Sequence, residues 1–281
     1  MTMDIQLLMI THNRPEYTRI SLGSLLESVP PSVQVTVWDN ASDPPTKAVI
    51  SEMSSHPRMR EVVYCKTNKK LREPTNWFWT QQRKADYVGK IDDDCLHQPG
   101  WCEALLEVHE NFPRTGVVGT WRFYPEDTLE VIPRSKIVRA SGVGLMRNCW
   151  VQGSGYLMRT QVIDALGLLG PNESFPRYCL RAASKGFLNG FAHPFIFEDH
   201  FDDPRSEHSQ IKTDEDLQRM LPLSAQSFGI STVRQWTDHQ KNEAAILQRA
   251  AFQPWLHVGP LSRLLRMGHR LLGQSYQPIA R

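Results

Sequence analysis

The chain has 281 residues, 40% of them apolar and 22% charged, with a formal net charge of +2 from 32 basic and 30 acidic side chains. A chain of that length buries roughly three quarters of its unfolded surface, and the composition excludes a disordered, collagenous or mucin-like protein. The charge balance argues against nucleic acid or an anionic membrane as the main partner, and five cysteines, at 65, 95, 102, 149 and 179, are too few and odd in number for a disulfide scaffold.

Stretches free of Asp, Glu, Lys and Arg are too short for a membrane span, and no basic segment followed by an apolar run opens the chain. A soluble, cytoplasmic protein is the expectation. In chain order, Ile5 to Ile10 is an apolar run of buried-strand length. Asn13, Pro15 and Glu16 then have the spacing of a helix start, with Asn13 as the cap. Val33 to Trp38 alternates and is rich in β-branched residues, as a strand requires. It stops at the polar cluster 39–43, and Pro44-Pro45 opens a short helix. Glu61 to Cys65 is a third strand, Asn76 to Arg83 a helix, and Tyr87 to Ile91 a fourth strand that runs into Asp92-Asp93-Asp94. Pro99 to Glu110 reads as helix and Gly116 to Trp121 as strand. Alternation of this kind predicts a mostly parallel sheet flanked by helices, with its chemistry at the carboxyl ends of the strands. The clusters at 11–14, 39–43 and 92–94 all follow strands, so they are expected to converge on one crevice.

The second half is less regular. Residues 129–140 suit a hairpin or flap, Val151 to Leu157 a strand, Thr160 to Leu169 a short helix, and Arg177 to Lys185 a helix closed by Gly186. Residues 198–216 hold eight acids against Arg205 and Lys212, which fits either a functional loop or a solvated face. From His257 onward there are four arginines and no acid, with leucines at 261, 264, 265 and 272 in a roughly helical pattern. That tail suits packing on its own domain, a homodimer contact, or peripheral attachment to the inner face of a membrane.

Three carboxylates at the end of an apolar strand repel one another, and a hard divalent cation among them relieves that cost. Alternation along a strand puts Asp92 and Asp94 on one side and Asp93 on the other. A solvated loop or a set of helix-capping acids is the plainer alternative.

ITHNRPEY at 10–17, WDNAS at 38–42, the Asn68 loop leading to Asn76, and GKIDDDC at 89–95 stand in this order over about residues 4–200. Together they resemble the inverting family 2 glycosyltransferases of the GT-A (nucleotide-diphospho-sugar transferase) fold. The resemblance implies an α/β domain over 1–215, with a nucleotide-binding half to about 121 and an acceptor half beyond it, followed by a C-terminal helical extension over 216–281. It implies a nucleotide-sugar donor, linked to UDP, GDP or dTDP, held by Thr11, Asn13, Arg14, Asp39, Asn68, Asp92 and Asp93. It also implies Mn²⁺ or Mg²⁺ bound by Asp94 and Asp92, with a histidine as a further ligand. Of His193, His200 and His208, His200 has the most polar company.

The acceptor would carry a hydroxyl, in surface-glycan or other glycoconjugate synthesis, with DNA as the least favoured class. Inversion needs a carboxylate opposite the leaving group to take the acceptor's proton. The family supplies it from an acidic pair at a helix start, where this sequence has Ser174 and Phe175. Glu173 is the nearest acid, and Asp199 and Asp202 are its rivals. Trp121, Trp150 and Tyr156 suit either sugar stacking or core packing, and Gly153-Ser154-Gly155 permits close backbone approach. Lys69, Lys70 and Arg72 suit a diphosphate contact or a solvated loop. Two other classes stay open: a non-catalytic nucleotide-sugar or glycan-binding protein of the same fold, and a nucleotidyltransferase.

Overall fold

The computed structural model describes residues 3–258; the basic tail singled out above lies outside them, apart from its first residues. Along the chain run β1 (Ile5–Thr11), α1 (Pro15–Ser28), β2 (Val33–Asp39), α2 (Pro44–Met53), β3 (Met59–Tyr64), α3 (Arg72–Gln81), β4 (Tyr87–Asp92), β5 (Cys95–His97), α4 (Trp101–Asn111) and β6 (Thr115–Gly119). The second half adds β7 (Ile137–Ala140), β8 (Val143–Asn148), β9 (Tyr156–Arg159), α5 (Thr160–Leu166), α6 (Phe175–Ser184), β10 (Leu188–His193) and β11 (Glu198–His200). Three helices follow, α7 (Asp214–Met220), α8 (Leu223–Ser227) and α9 (Val233–Arg249). None of the described helices is long and apolar enough to cross a membrane.

Nine strands form one sheet in the order β3-β2-β1-β4-β9-β6-β10-β8-β7, and β5 pairs with β11 in a separate ribbon. The block β3-β2-β1-β4 is parallel, as the alternation of strands and helices predicted. Beyond it β9 runs antiparallel to both β4 and β6, which leaves β6 and β10 pointing the same way as β1 and β4. The carboxyl ends of β1, β2, β4, β6 and β10 therefore share one edge.

Two large clusters of buried side chains cover the sheet. One contains Trp79, Trp121, Tyr156, Tyr178 and Phe191, and the other Leu7, Leu22, Val35, Trp101 and Leu157. Helix α9 contributes Ala244 and Leu247 to the first, while Trp236 anchors a third, smaller cluster with Ile211 and Leu217.

Several local expectations change. Asn13 does not cap α1: that position belongs to Arg14, and the Asn13 side chain ties two loops together instead. The strand expected over 151–157 starts only at Tyr156, because Gly153-Ser154-Gly155 turns to pass close beneath β4. The hairpin lies at β7–β8, closed by Ser141 and Gly142 with φ of 49° and 87°. These two left-handed residues match a two-residue hairpin turn.

One buried group makes stability pH-dependent. His109 of α4 is fully enclosed, with Nδ1 2.8 Å from Thr115 Oγ1 and Nε2 3.1 Å from the Leu157 carbonyl. Burial, then the nearby Arg159 charge, lowers its pKa to about 3. The unfolded chain takes up that proton near pH 6.5 and the folded one does not, so stability falls as pH drops below 6.5. By pH 5 this one residue costs about 2 kcal/mol. Urea midpoints at pH 7 and pH 5 should therefore separate further in the wild type than in His109→Gln, and equal separations would refute the assignment.

Candidate functional site

Register brings the polar strand ends level. Thr11 of β1 pairs with Asp39 of β2, and Ile10 with Asp92 of β4. The three loops that follow are tied to one another by side chains. Asn13 accepts from the Asp43 amide at 2.7 Å, and its own amide donates to Ser42 Oγ at 3.1 Å. Asn40 donates to Asn68 Oδ1 at 2.9 Å and to the Lys70 carbonyl, while its Oδ1 accepts from the Lys69 amide at 2.6 Å. Asn13, Ala41 and Lys70 all have positive φ, a conformation that costs energy in non-glycine residues and clusters at functional sites. Asp39 is fully buried: Oδ1 accepts from the Ser42 amide, Oδ2 has no hydrogen-bond partner among the described residues, and Lys47 Nζ lies 3.9 Å away. Thr11 is buried too, its hydroxyl 2.7 Å from that of Thr18. Thr11, Asn13, Asp39 and Asn68 are thus gathered at one edge.

The aspartate triplet does not continue the strand. β4 ends at Asp92, and Asp93 and Asp94 lie in a turn, so the alternation expected from the sequence fails and the three carboxylates part. Asp92 pairs with Lys90, and its amide is held by Ser154 Oγ at 2.8 Å. Asp93 is buried beneath the first loop, 3.4 Å from the His12 amide, and burial raises its pKa against the pull of Arg14.

Asp94 turns toward β11, which the β5 pairing of Cys95 with His200 brings alongside. Asp94 Oδ2 lies 3.8 Å from His200 Nε2 and 2.9 Å from Arg14 Nη1, while Arg14 Nη2 reaches Asp202 Oδ2 at 3.2 Å. Burial alone would raise the pKa of Asp94, but the charges of His200 and Arg14 overrule it and hold the carboxylate ionised. Burial and the neighbouring Asp94 push Asp202 up.

Among the described residues, Asp94, Cys95 and His200 place their ligand atoms within 4.8 Å of one another. The thiol of Cys95 is a poor member of that set. Burial, then Glu198 and Asp94, push its pKa up, and a soft sulfur ligand suits a hard cation such as Mn²⁺ or Mg²⁺ less well than a carboxylate does. The carboxylate and imidazole remain, and both suit a divalent cation. His200 Nδ1 and Asp202 Oδ1 are buried without a hydrogen-bond partner among the described residues, an unusual cost that a nearby charged ligand or its water shell would offset. The donor set therefore fits one cation at Asp94 and His200, with Asp202 beside it and Asp92 outside the cluster.

Beneath the ribbon lies a second buried group that sequence reasoning missed. Glu198 is 2.8 Å from His97 Nε2 and accepts from Thr120 Oγ1 at 2.6 Å. The hydrophobic setting of residues 95 and 97 beside an acid at 198 carried no spacing signal; only the pairing of β5 with β11 reveals it.

The other expected residues fall apart from the cluster. Glu173 precedes α6, where its Oε2 accepts from the Gly170 amide at 3.0 Å and from Arg181 at 2.9 Å. It borders a cavity of about 340 Å³ with Arg177 and Arg181. Phe175, at the head of α6, stacks on Tyr156 at 4.2 Å. Asp199 accepts from Tyr124 at 3.2 Å and from Ser206 at 2.7 Å. Trp121 and Tyr156 are fully buried and belong to the core, which removes them as sugar platforms. Trp150 is half-buried against His257. His193 lies near Arg139 and Phe195, and His208 packs on Phe201. Lys69 pairs with Glu73 on an exposed loop.

A family profile described as Glycosyl transferase family 2 matches residues 7–165, more than half of the chain. Among solved structures, the mannosyltransferase PcManGT of Pyrobaculum calidifontis, in complex with GDP-Man and Mn²⁺, aligns with a TM-score of 0.59 at 15% identity, over 96% of this chain and 81% of that one. TarS 1–349 of S. aureus with UDP-GlcNAc aligns at 0.52 and 14% identity, over 68% and 55%. The same protein with UDP aligns at 0.54 and 13% identity, over 78% and 71%. At such identities the likeness establishes a shared fold. No curated protein matches the chain in sequence.

Proposed function

The chain belongs to glycosyl transferase family 2, and from that membership we propose a metal-dependent glycosyltransferase that moves one sugar from a nucleotide-sugar to an acceptor hydroxyl with inversion. The observation that carries the metal dependence is the meeting of Asp94 and His200 at the carboxyl edge of the sheet, 3.8 Å apart. An imidazole among carboxylates favours Mn²⁺ over Mg²⁺, which prefers an all-oxygen shell. The Mn²⁺ in the Pyrobaculum mannosyltransferase complex supports that choice. When bound, the cation offsets the negative charge that develops on the departing diphosphate.

The chain's own residues would do the rest. Asp39, with one buried oxygen unpartnered among the described residues, would accept a hydrogen bond from the base or ribose, with Thr11, Asn13 and Asn68 shaping the loops around it. Arg14 faces the diphosphate. Asp92, held in place by Ser154 and Lys90, would lie near the ribose.

For the acceptor's proton we assign Glu173. Ser154 holds Asp92, and Tyr156, two residues on, stacks against Phe175 at the head of α6. That chain of contacts links the start of α6 to Asp92 and supports Glu173, which borders open space while its Oε2 is engaged by the Gly170 amide and Arg181. Asp202 is buried and bound to Arg14, and Asp199 is held by two hydroxyl donors. A C-terminal extension from residue 216, which over the described residues carries the rest of α7, α8 and α9, and a role in surface-glycan synthesis in the cytoplasm complete the reading.

Two measurements test it. Thermal stability and nucleoside diphosphate release should be followed with UDP-, GDP- and dTDP-sugars, with and without Mn²⁺. One donor should stabilise the protein and turn over only with the metal. Glu173→Gln should then lower kcat by about a hundredfold or more with KM for the donor unchanged. Full activity in Glu173→Gln with a large loss in Asp199→Asn would move the base to Asp199. Binding of a donor without turnover across many acceptors would instead favour a non-catalytic sugar-nucleotide binder.

A further inference from the structure

The guanidinium of Arg14 stands where a metal ion is expected. Its two terminal nitrogens divide between Asp94 and Asp202, at 2.9 and 3.2 Å, and the Asp94 oxygen it engages is the one that lies nearest His200. The Arg14 side chain is 23% exposed, against 9% and 6% for the two carboxylates, so the arginine is the member of the cluster with access to the crevice. Lys90, the other nearby cation, is committed to Asp92. Arg14 itself is not helical: it has φ −131° and ψ 62° and follows the left-handed Asn13. A loop, rather than the register of α1, therefore places it.

We infer that Arg14 is a resident counter-cation of the metal site, holding Asp94 and Asp202 in the free enzyme, opposing a metal that arrives alone, and passing to the donor's diphosphate when both bind. This rests on the metal reading proposed above. A divalent ion at Asp94 and His200 competes with the guanidinium for one carboxylate oxygen and is repelled by it at close range in a largely buried site. The competition ends once Arg14 finds another anion. A planar guanidinium fits two phosphate oxygens side by side, so the donor's diphosphate is a suitable new partner. Metal and donor are then linked through one side chain, and each must strengthen the other by the same factor. Without such a resident charge, Asp202 would lose its cationic partner and Asp94 would keep only His200 in the free protein.

The test is a Mn²⁺ titration of the full chain, read from the electron paramagnetic resonance signal of the free ion, in the absence of any nucleotide. Wild type, Arg14→Met, Arg14→Lys and Asp94→Asn are compared, each checked for fold by circular dichroism. Arg14→Met should bind Mn²⁺ at least about tenfold more tightly than wild type. Arg14→Lys keeps the charge but is too short to hold both carboxylates, and it should fall between them. That keeps the series readable if Arg14→Met does not fold. Adding UDP or GDP, with free Mn²⁺ corrected for chelation, should tighten Mn²⁺ binding more in wild type than in Arg14→Met. If wild type binds Mn²⁺ through Asp94 while neither Arg14 variant binds it more tightly, the role of Arg14 is wrong and the metal site stands. If no protein in the series binds Mn²⁺ even with UDP or GDP, the metal site itself is wrong and the inference falls with it.

Discussion

Asp94→Asn is expected to lower the Mn²⁺-dependent rate of nucleoside diphosphate release by about a thousandfold or more while leaving the protein folded. The size follows from the task. Stabilising a departing diphosphate is worth several kcal/mol, and about 4 kcal/mol is a factor of a thousand in rate. The fold survives because the amide oxygen of asparagine still accepts from Arg14 Nη1, and Arg14 keeps its second partner, Asp202. The loss should therefore appear in activity and in metal-dependent stabilisation by the donor, with little change in the melting temperature of the free protein. Retention of more than about a tenth of wild-type activity at saturating Mn²⁺ would remove Asp94 from the metal site.

The largest effect on stability should come from Gly155→Ala. Gly155 has φ of 63°, and an added Cβ would overlap Glu198 Oε2 and Thr120 Oγ1. Neither neighbour can withdraw. Glu198 is 4% exposed, and its Oε2 is already engaged by Thr120 at 2.6 Å and His97 at 2.8 Å. The Gly155 backbone is equally committed, donating to the Lys90 carbonyl at 2.9 Å and accepting from the Thr120 amide at 2.7 Å. Alanine thus combines a strained backbone with displacement of a buried charge, for about 3 kcal/mol or more. In a chain of this size that lowers the melting temperature by at least about 6 °C. A thermal melt showing a shift below about 2 °C would mean that the cluster is softer than its geometry indicates. Because Ser154 beside it holds the Asp92 amide, the substitution should also weaken donor binding.

What could be read from the residues alone follows the physics of each region. The parallel half was legible because strand-like and helix-like segments alternate there, with β1 a continuous apolar run and β2 rich in β-branched residues, and Pro15, Pro44 and the Asn-rich turns mark where the strands stop. The β7–β8 hairpin was placed too early, although Ser141-Gly142 carried a turn signal. β7 is only half-buried and lacks the alternation that would have drawn attention to it. The aspartate triplet was visible, but its geometry was not. Strand alternation paired Asp92 with Asp94, and the turn after Asp92 broke that pattern and gave Asp94 to β11. His200 was separable from His193 and His208 only by its polar neighbours. The bond of Arg14 to Asp94 spans 80 residues, and that to Asp202 spans 188. No local spacing encodes contacts of that kind. Likewise, Trp121 and Tyr156 have the composition of a sugar platform, and only their burial assigns them to the core.

Trp236 of α9 donates its indole N–H to the Asp202 carbonyl at 2.6 Å. The backbone that carries one of Arg14's two anchors is thus pinned from outside the 7–165 region that the family profile matches. A fragment trimmed to the shared region would keep the loops around Asp39 and lose His200, Asp202 and Trp236 together. Swapping residues 214–258 with those of a relative would, for the same reason, retune the acidic pocket from behind. Helix α9 is a part through which a lineage could adjust its metal chemistry while leaving every residue of the shared motifs untouched.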